Sequence, residues 1–322
     1  MATENLRRRP VVGITMGDAA GIGPEVVLKA LADDALRHQL TIKIIGDEAH
    51  LRHVADSIGL SDVIDQVEVV DLKNLPEHIL MGVDAVETGK ASAEYIVKAV
   101  DLWRAGEIDA IATAPISKKA IALGGYDFPG HTEFLAQLTE TKQFAMSFFA
   151  DELRVILLST HLALREAIDL VETDKLVKLI DFADRQLDRL LGRKIKLAIA
   201  GLNPHASEGG MFGREEIDEI IPAVDQCQKL GIDISGPFSP DTIFLRCAKG
   251  EFDAVIALYH DQATIPVKAI SFNSGVNVTL GLPLVRTSVD HGTAFAIAGK
   301  GVAESSSMAA AIKLAGELVL SK

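Results

Sequence analysis

Along the chain, apolar and β-branched runs alternate with segments whose apolar positions recur at helical spacing. The runs VVGIT (11–15), TIKIIG (41–46), DAIATA (109–114), FAMSFFA (144–150), RVILLST (154–160), KLAIAGL (196–202) and DAVIAL (253–258) are short and almost wholly apolar. Runs of this kind suit buried strands. Between them, ASAEYIVKAVDLWRAG (91–106) and EEIDEIIPAVDQCQKLG (215–231) carry amphipathic helical patterns. The alternation predicts an α/β protein with much parallel sheet. In open α/β sheets, ligands gather beyond the carboxyl ends of the strands. The residues that follow each apolar run are therefore where chemistry is to be sought.

A length of 322 residues suffices for one large α/β domain or two lobes with a full core. With no internal repeat, low-complexity stretch or Gly/Pro/Ser-rich linker, two lobes joined by several chain crossings are expected. No apolar run reaches membrane-spanning length. The start, MATENLRRRP, lacks the apolar stretch of a signal peptide, so a cytoplasmic protein with a short disordered start is expected, with no membrane partner. A net charge of −13 argues against nucleic-acid binding, which needs basic patches, but leaves room for a local site for a small anion. Cys227 and Cys247 have no zinc-like spacing, and no disulfide framework is expected.

The first run leads into TMGDAAGIGPEVVLKAL, where Gly17, Gly21, Gly23 and Pro24 describe a strand, a tight turn and a helix start. It is neither a dinucleotide fingerprint nor a Walker loop, and it reads equally as a structural turn or a ligand loop. His38, His50, His53 and His78 sit in polar, helix-like or loop surroundings and read as surface residues. His131 in FPGHTE and His291 in TSVDHGTA lie in turns, while His161, His205 and His260 each follow a strong apolar run. The last of these lies in LYHDQAT, where Tyr259, His260, Asp261 and Gln262 stand where a plain turn would use Gly, Asn or Pro. If the sheet is parallel, all three strand-end histidines face one edge. Three imidazoles with an open position would make a catalytic metal site; the alternative is that they cap loops. Asp261, Lys268, Asn277 and Arg286 lie among apolar segments and suggest a phosphate or carboxylate pocket, against the plain reading of surface charge.

The segments GITMGDAAGIGPE, GHTEF, STHLALR, GLNPHASEGG, GPFSPDT, YHDQ and GVNVTLGLPLVRTSVDHGTAFAIAGKG cover nearly the whole chain. Through them the chain resembles the 4-hydroxythreonine-4-phosphate dehydrogenase family of pyridoxal phosphate biosynthesis, including paralogues acting on phosphorylated sugar acids. GDAAGIGPE and DHGTAFAIAGKG also look like counterparts of segments in isocitrate and isopropylmalate dehydrogenases. The resemblance implies a two-lobed α/β/α fold of that type, with the active site in the interlobe cleft. Residues 1–130 plus 272–322 would form the NAD-side lobe, and 131–271 the lobe with metal ligands and dimer contacts. It implies a divalent ion (Zn, Mg, Mn or Co) on His161, His205 and His260, one of the three coming from the partner subunit of a homodimer. It places the substrate on His131, Thr132, Lys268, Asn277 and Arg286, and NAD near Asn277, Gly281 and Asp290. It further implies catalytic roles for Lys118, Asp241 and Asp261, Asp261 either orienting a ligand or taking part in proton transfer.

The implied reaction is NAD-dependent oxidation of a 4-phosphorylated 3-hydroxy acid followed by β-decarboxylation, as from 4-phosphohydroxy-L-threonine to 3-amino-2-oxopropyl phosphate. The alternative substrate is D-threonate or D-erythronate 4-phosphate, giving dihydroxyacetone phosphate. A dihydrodiol branch needs no phosphate clamp, and retention of Lys268 and Arg286 argues against it. A phosphate acyltransferase, which can share the general fold, needs no three-histidine site. Ala19, Ser207, Ala263 and the segment FNSGVN depart from the usual family pattern and are expected to alter the walls near the substrate.

Overall fold

Where both faces of an apolar run can be covered, the run becomes a strand. The computed structural model describes residues 8–271 and 274–321. Residues 1–7 of the expected disordered start, Phe272 and Asn273 of FNSGVN, and Lys322 lie outside the described residues. In chain order the strands are β1 (Val11–Thr15), β2 (Thr41–Gly46), β3 (Glu68–Asp71), β4 (Ala110–Thr113), β5 (Ala145–Ala150), β6 (Leu153–Leu157), β7 (Leu197–Ala200), β8 (Ile234–Phe238), β9 (Ala254–Ala257), β10 (Val276–Leu280) and β11 (Val285–Ser288). Six of the seven apolar runs contain one of them, and the run 154–160 overlaps β6, which begins one residue earlier. The other four follow less apolar sequence: β3 and β8 are edge strands, β8 carries a Gly-Pro pair, and β11 carries a buried arginine.

The chain forms two units, Met1–Lys142 with Leu282–Leu320, and Gln143–Gly281 with Ser321–Lys322. The boundaries expected from the sequence lie earlier in the chain, at 130/131 and 271/272. His131 and Thr132 accordingly belong to the first unit, and Asn277 and Gly281 to the second.

In the first unit the strand order is β3-β2-β1-β4-β11, every neighbour parallel. Ile14, Ile44 and Ile111 are fully buried, and the helices Val86–Arg104 and Ser306–Leu320 both pack on β1. Burial on both faces is what lets these short strands dispense with alternating polar positions. In the second unit the order is β10-β5-β6-β9-β7-β8; β10, β5 and β6 are antiparallel neighbours, and β6, β9, β7 and β8 run parallel. Its core joins Phe148, Val155, Ala198, Phe244, Val255 and Val267. The helix Thr173–Leu191 buries Leu176, Ile180, Ala183 and Leu187, a stripe at helical spacing.

The Gly-rich turn after β1 is interior, with residues 10 to 28 all buried. Gly17 has φ +76°, and a Cβ there would stand 2.4 Å from the Pro115 carbonyl; a Cβ on Gly23 would stand 2.4 Å from the Met16 carbonyl. Asp18 accepts from the Ala20 N–H at 2.9 Å. Of the two readings open from sequence, packing accounts for these glycines without a ligand. Gly17→Ala must therefore meet both backbone strain and overlap, and should lower unfolding free energy by about 2–4 kcal/mol. Urea denaturation of the purified variant checks this, and an unchanged midpoint would contradict the packing account.

Candidate functional site

Because β6, β9 and β7 run parallel, the chain leaves all three at one edge of the second unit, and His161, His260 and His205 follow them there. The rings of His161 and His260 lie 5.8 Å apart, tilted by 40°. Nδ1 of His260 is 2.7 Å from Oδ1 of Asp261. The carboxylate makes Nδ1 the donor, which leaves the Nε2 lone pair available to a metal. His161, His260, Tyr259 and Asp261 line a cavity of about 310 Å³. Asp261 also borders a neighbouring groove of about 450 Å³ with Asp241, whose Oδ1 accepts from Ser239 Oγ at 2.6 Å.

His205 is carried differently. His205, Ala206, Ser207, Glu208 and Gly209 have φ of 55°, 52°, 67°, 44° and 68°, a run of left-handed residues. Such a run of non-glycine residues is costly and needs anchoring from outside. Glu216 supplies it: its buried carboxylate accepts from the Leu202 and Asn203 N–H groups at 2.7 Å each and from Asn203 Nδ2 at 2.8 Å. Ser207 is buried, and its carbonyl accepts from Met211 N–H at 2.8 Å. Within one chain, among the described residues, no three His, Cys, Asp or Glu side chains converge on a metal position.

The first unit holds a second cluster. Arg286, on β11, is buried; Nη2 donates to Thr113 Oγ1 at 2.8 Å and Nη1 to Thr132 Oγ1 at 3.5 Å. Burial pulls its pKa down to about 9, against an opposing pull from Glu133. His131 and Thr132 open the helix His131–Leu138. Burial, then the charges of Arg286 and Lys118, holds His131 well below the usual imidazole range, so the ring is neutral. Its Nε2 is buried with no hydrogen-bond partner. Lys118 is exposed at the start of the helix Lys118–Leu123. Two cations, two hydroxyls and a buried ring nitrogen gathered in this way suit an oxyanion.

The profile of the family described as pyridoxal phosphate biosynthetic protein PdxA matches residues 19–315. The chain belongs to the PdxA family. It is 44% identical to the D-threonate 4-phosphate dehydrogenase of Cupriavidus necator, over 96% of this chain and 97% of that one. It is equally 44% identical to the 4-hydroxythreonine-4-phosphate dehydrogenase of Desulforapulum autotrophicum, over 95% of each. The crystal structure of 4-hydroxythreonine-4-phosphate dehydrogenase from Klebsiella pneumoniae superposes with a TM-score of 0.88 at 39% identity, covering 96% of this chain and 99% of that one.

The remaining expected site residues of this PdxA-family chain belong to both units. Lys268 is exposed on the helix His260–Ile270; Asn277 stands opposite Phe148 on β10; Asp290 follows β11. Gly281 has φ +99°, and a Cβ there would approach the Gln143 carbonyl to 2.3 Å, so packing alone requires glycine. The departures at Ala19, Ser207 and Ala263 are buried at 0%, 1% and 0% exposure, so these residues are packed in the interior and are not exposed walls of a site. His50 also differs from expectation: it is partly buried, with Nε2 3.1 Å from the Ala19 carbonyl, and burial pushes its pKa down. With His53, His78, Asp71 and Lys73 it lines a cavity of about 640 Å³ beyond β2 and β3. Thr113 and Glu216 were not legible as site residues, since one lies within an apolar run and the other in an ordinary acidic helix start. Among the described residues no helix is long and apolar enough to cross a membrane.

The neutral state of His131 has a consequence for stability. In the unfolded chain an imidazole titrates near about 6.5. Below that value the unfolded state binds a proton that the fold refuses, so stability falls as pH falls, at up to about 1.4 kcal/mol per pH unit. His131→Asn removes this component. Its urea midpoint should fall less than that of the parent between about pH 7 and pH 5; equal falls would mean that His131 titrates normally in the fold.

Proposed function

We propose that this protein is an NAD- and divalent-metal-dependent dehydrogenase that oxidises a 4-phosphorylated 3-hydroxy acid, with β-decarboxylation of the product. The observation that carries this reading is the buried, partnerless Nε2 of His131 beside Arg286 and Lys118. A phosphate would accept from Arg286, Thr132, the helix N-terminus and, in the neutral tautomer that carries its hydrogen there, Nε2 of His131. Lys268 and Asn277 keep the substrate roles that the family resemblance implies, and Asn277, Gly281 and Asp290 the cofactor roles.

The donor set at the histidine edge fits a divalent ion: two neighbouring imidazoles, one with its far nitrogen fixed by a carboxylate. The exposed apolar residues Leu162 and Leu164 lie beside His161, and Leu245 and Ile265 border the groove at Asp261. Exposed apolar groups around a partial ligand set support a homodimer in which the partner completes the metal site. When bound, the ion and NAD supply Lewis acidity toward the substrate oxygens and a hydride acceptor. Phosphate binding remote from the reacting carbon orients the substrate. Asp261 orients His260, and Lys118, Asp241 and Asp261 are the residues available to move protons. Oxidation of the hydroxyl β to the carboxylate gives a β-keto acid, which loses carbon dioxide.

Relatives of equal identity carry two different substrate names, so 4-phosphohydroxy-L-threonine and D-threonate 4-phosphate should be assayed together with NAD and a divalent ion. Rising NADH absorbance with either supports the proposal; a flat trace with both, metal present, overturns it. Arg286→Ala should raise KM for the phosphorylated substrate by about 100-fold, the scale of a lost charge-assisted contact, while KM for NAD changes little. Comparable losses for both would remove Arg286 from the phosphate role. His205→Ala should lose bound metal by elemental analysis while keeping its circular dichroism spectrum; full metal content would remove His205 from the ligand set.

A further inference from the structure

Beyond the last ladder hydrogen bonds of β6, β9 and β7, the strand-end peptide groups need other partners. Leu258 follows β9, the middle of the three strands. Its N–H donates to Oε1 of Gln262 at 2.8 Å. Nε2 of the same side chain donates to the carbonyl of Gly201, which follows β7, at 2.7 Å. On the other side, the Leu258 carbonyl accepts from Oγ of Ser159, which follows β6, at 2.9 Å. Gln262 and Ser159 are buried. The amide orientation is not arbitrary, since a backbone N–H can only donate and a carbonyl only accept.

These three bonds tie together the strand ends that lead to His161, His205 and His260. Neighbouring strands are about 4.8 Å apart, whereas metal–ligand distances tolerate only about 0.2 Å. A link across all three strand ends therefore acts where small shifts matter most. Glu216 holds the next two peptides beyond Gly201, so the tie extends toward His205. Gln262 itself sits in the first turn of the helix that begins at His260, so movement of its amide and movement of that histidine are coupled.

We propose that Gln262, assisted by Ser159, is a positioning residue for the histidine set, fixing the strand ends from which each subunit presents its histidines to a metal site that the partner completes. This rests on the reading of His161, His205 and His260 as metal ligands. Gln262→Leu cuts both of its links. Gln262→Glu keeps an acceptor for Leu258 N–H but loses the donor to Gly201. Ser159→Ala cuts only the link to β6.

The test measures Co²⁺ affinity by chelator competition, and the visible spectrum of the bound Co²⁺, on full-length protein at a temperature where circular dichroism shows each variant folded. Parent and His205→Ala are measured alongside. Loss of an orienting partner around a metal typically costs 10–100-fold in affinity. The expected result is a loss of that size for Gln262→Leu and Gln262→Glu, with an altered Co²⁺ spectrum, and a smaller loss for Ser159→Ala. If the parent binds Co²⁺, His205→Ala does not, and the Gln262 variants match the parent in affinity and spectrum, the positioning role is overturned while the metal reading stands. If the parent fails to bind, or His205→Ala binds equally well, the metal reading itself fails. Should Gln262→Leu not fold, Gln262→Glu and Ser159→Ala decide the matter by the same two readouts.

Discussion

The direction in which the strands run is the constraint on which the rest depends. Parallel strands must all be left at the same edge, and their ladders end together there. Every chain leaving that edge carries peptide groups without a ladder partner, inside or close to the core. In the second unit Ser159, Gln262 and Glu216 meet that need. The same geometry that creates the need also sets His161, His205 and His260 along one edge whatever their distance in sequence, with the rings of His161 and His260 as neighbours. A row of strand-end side chains and a backbone-satisfying network thus arise from one architectural fact.

Local conformation follows from this in two different ways. At His260 the chain turns directly into a helix, and the adjacent Asp261 sets the ring. At His205 the chain makes a left-handed turn that only outside anchors sustain. The first arrangement is rigid because it is regular, and the second because it is over-determined. In the first unit a third device operates: Arg286 projects from within a strand, and its guanidinium is held by hydroxyls at the end of β4 and the start of a helix.

Much of this was legible from the chain itself. The seven apolar runs each coincide with a strand, and the parallel pairing of all of them but β5, which is antiparallel to both neighbours, follows from alternation with helices. That pairing is why sequence position alone could place His161, His205 and His260 on one edge. What escaped reading has physical causes. The strands β3 and β8 lie at sheet edges, where less apolar sequence suffices. The turn at Gly17–Gly23 looks the same in sequence whether its glycines admit a ligand or a neighbouring carbonyl, and only the packing tells them apart. The roles of Thr113, Glu216 and Gln262 depend on which distant peptide or guanidinium lies within reach, which no local pattern encodes. Ala19, Ser207 and Ala263 looked like changes to the site, yet their burial makes them matters of interior fit.

The buried arginine has one more implication. Folding takes a guanidinium out of water and holds it against hydroxyls, with its pKa pulled down to about 9. An anion entering beside it would return much of the lost solvation, and a ligand that binds only the folded chain shifts the folding equilibrium by mass action. Occupancy would then govern endurance as well as turnover. A cell rich in the anion would keep more of this protein out of reach of its proteases, and one depleted of it would clear the protein sooner, with no dedicated regulator needed.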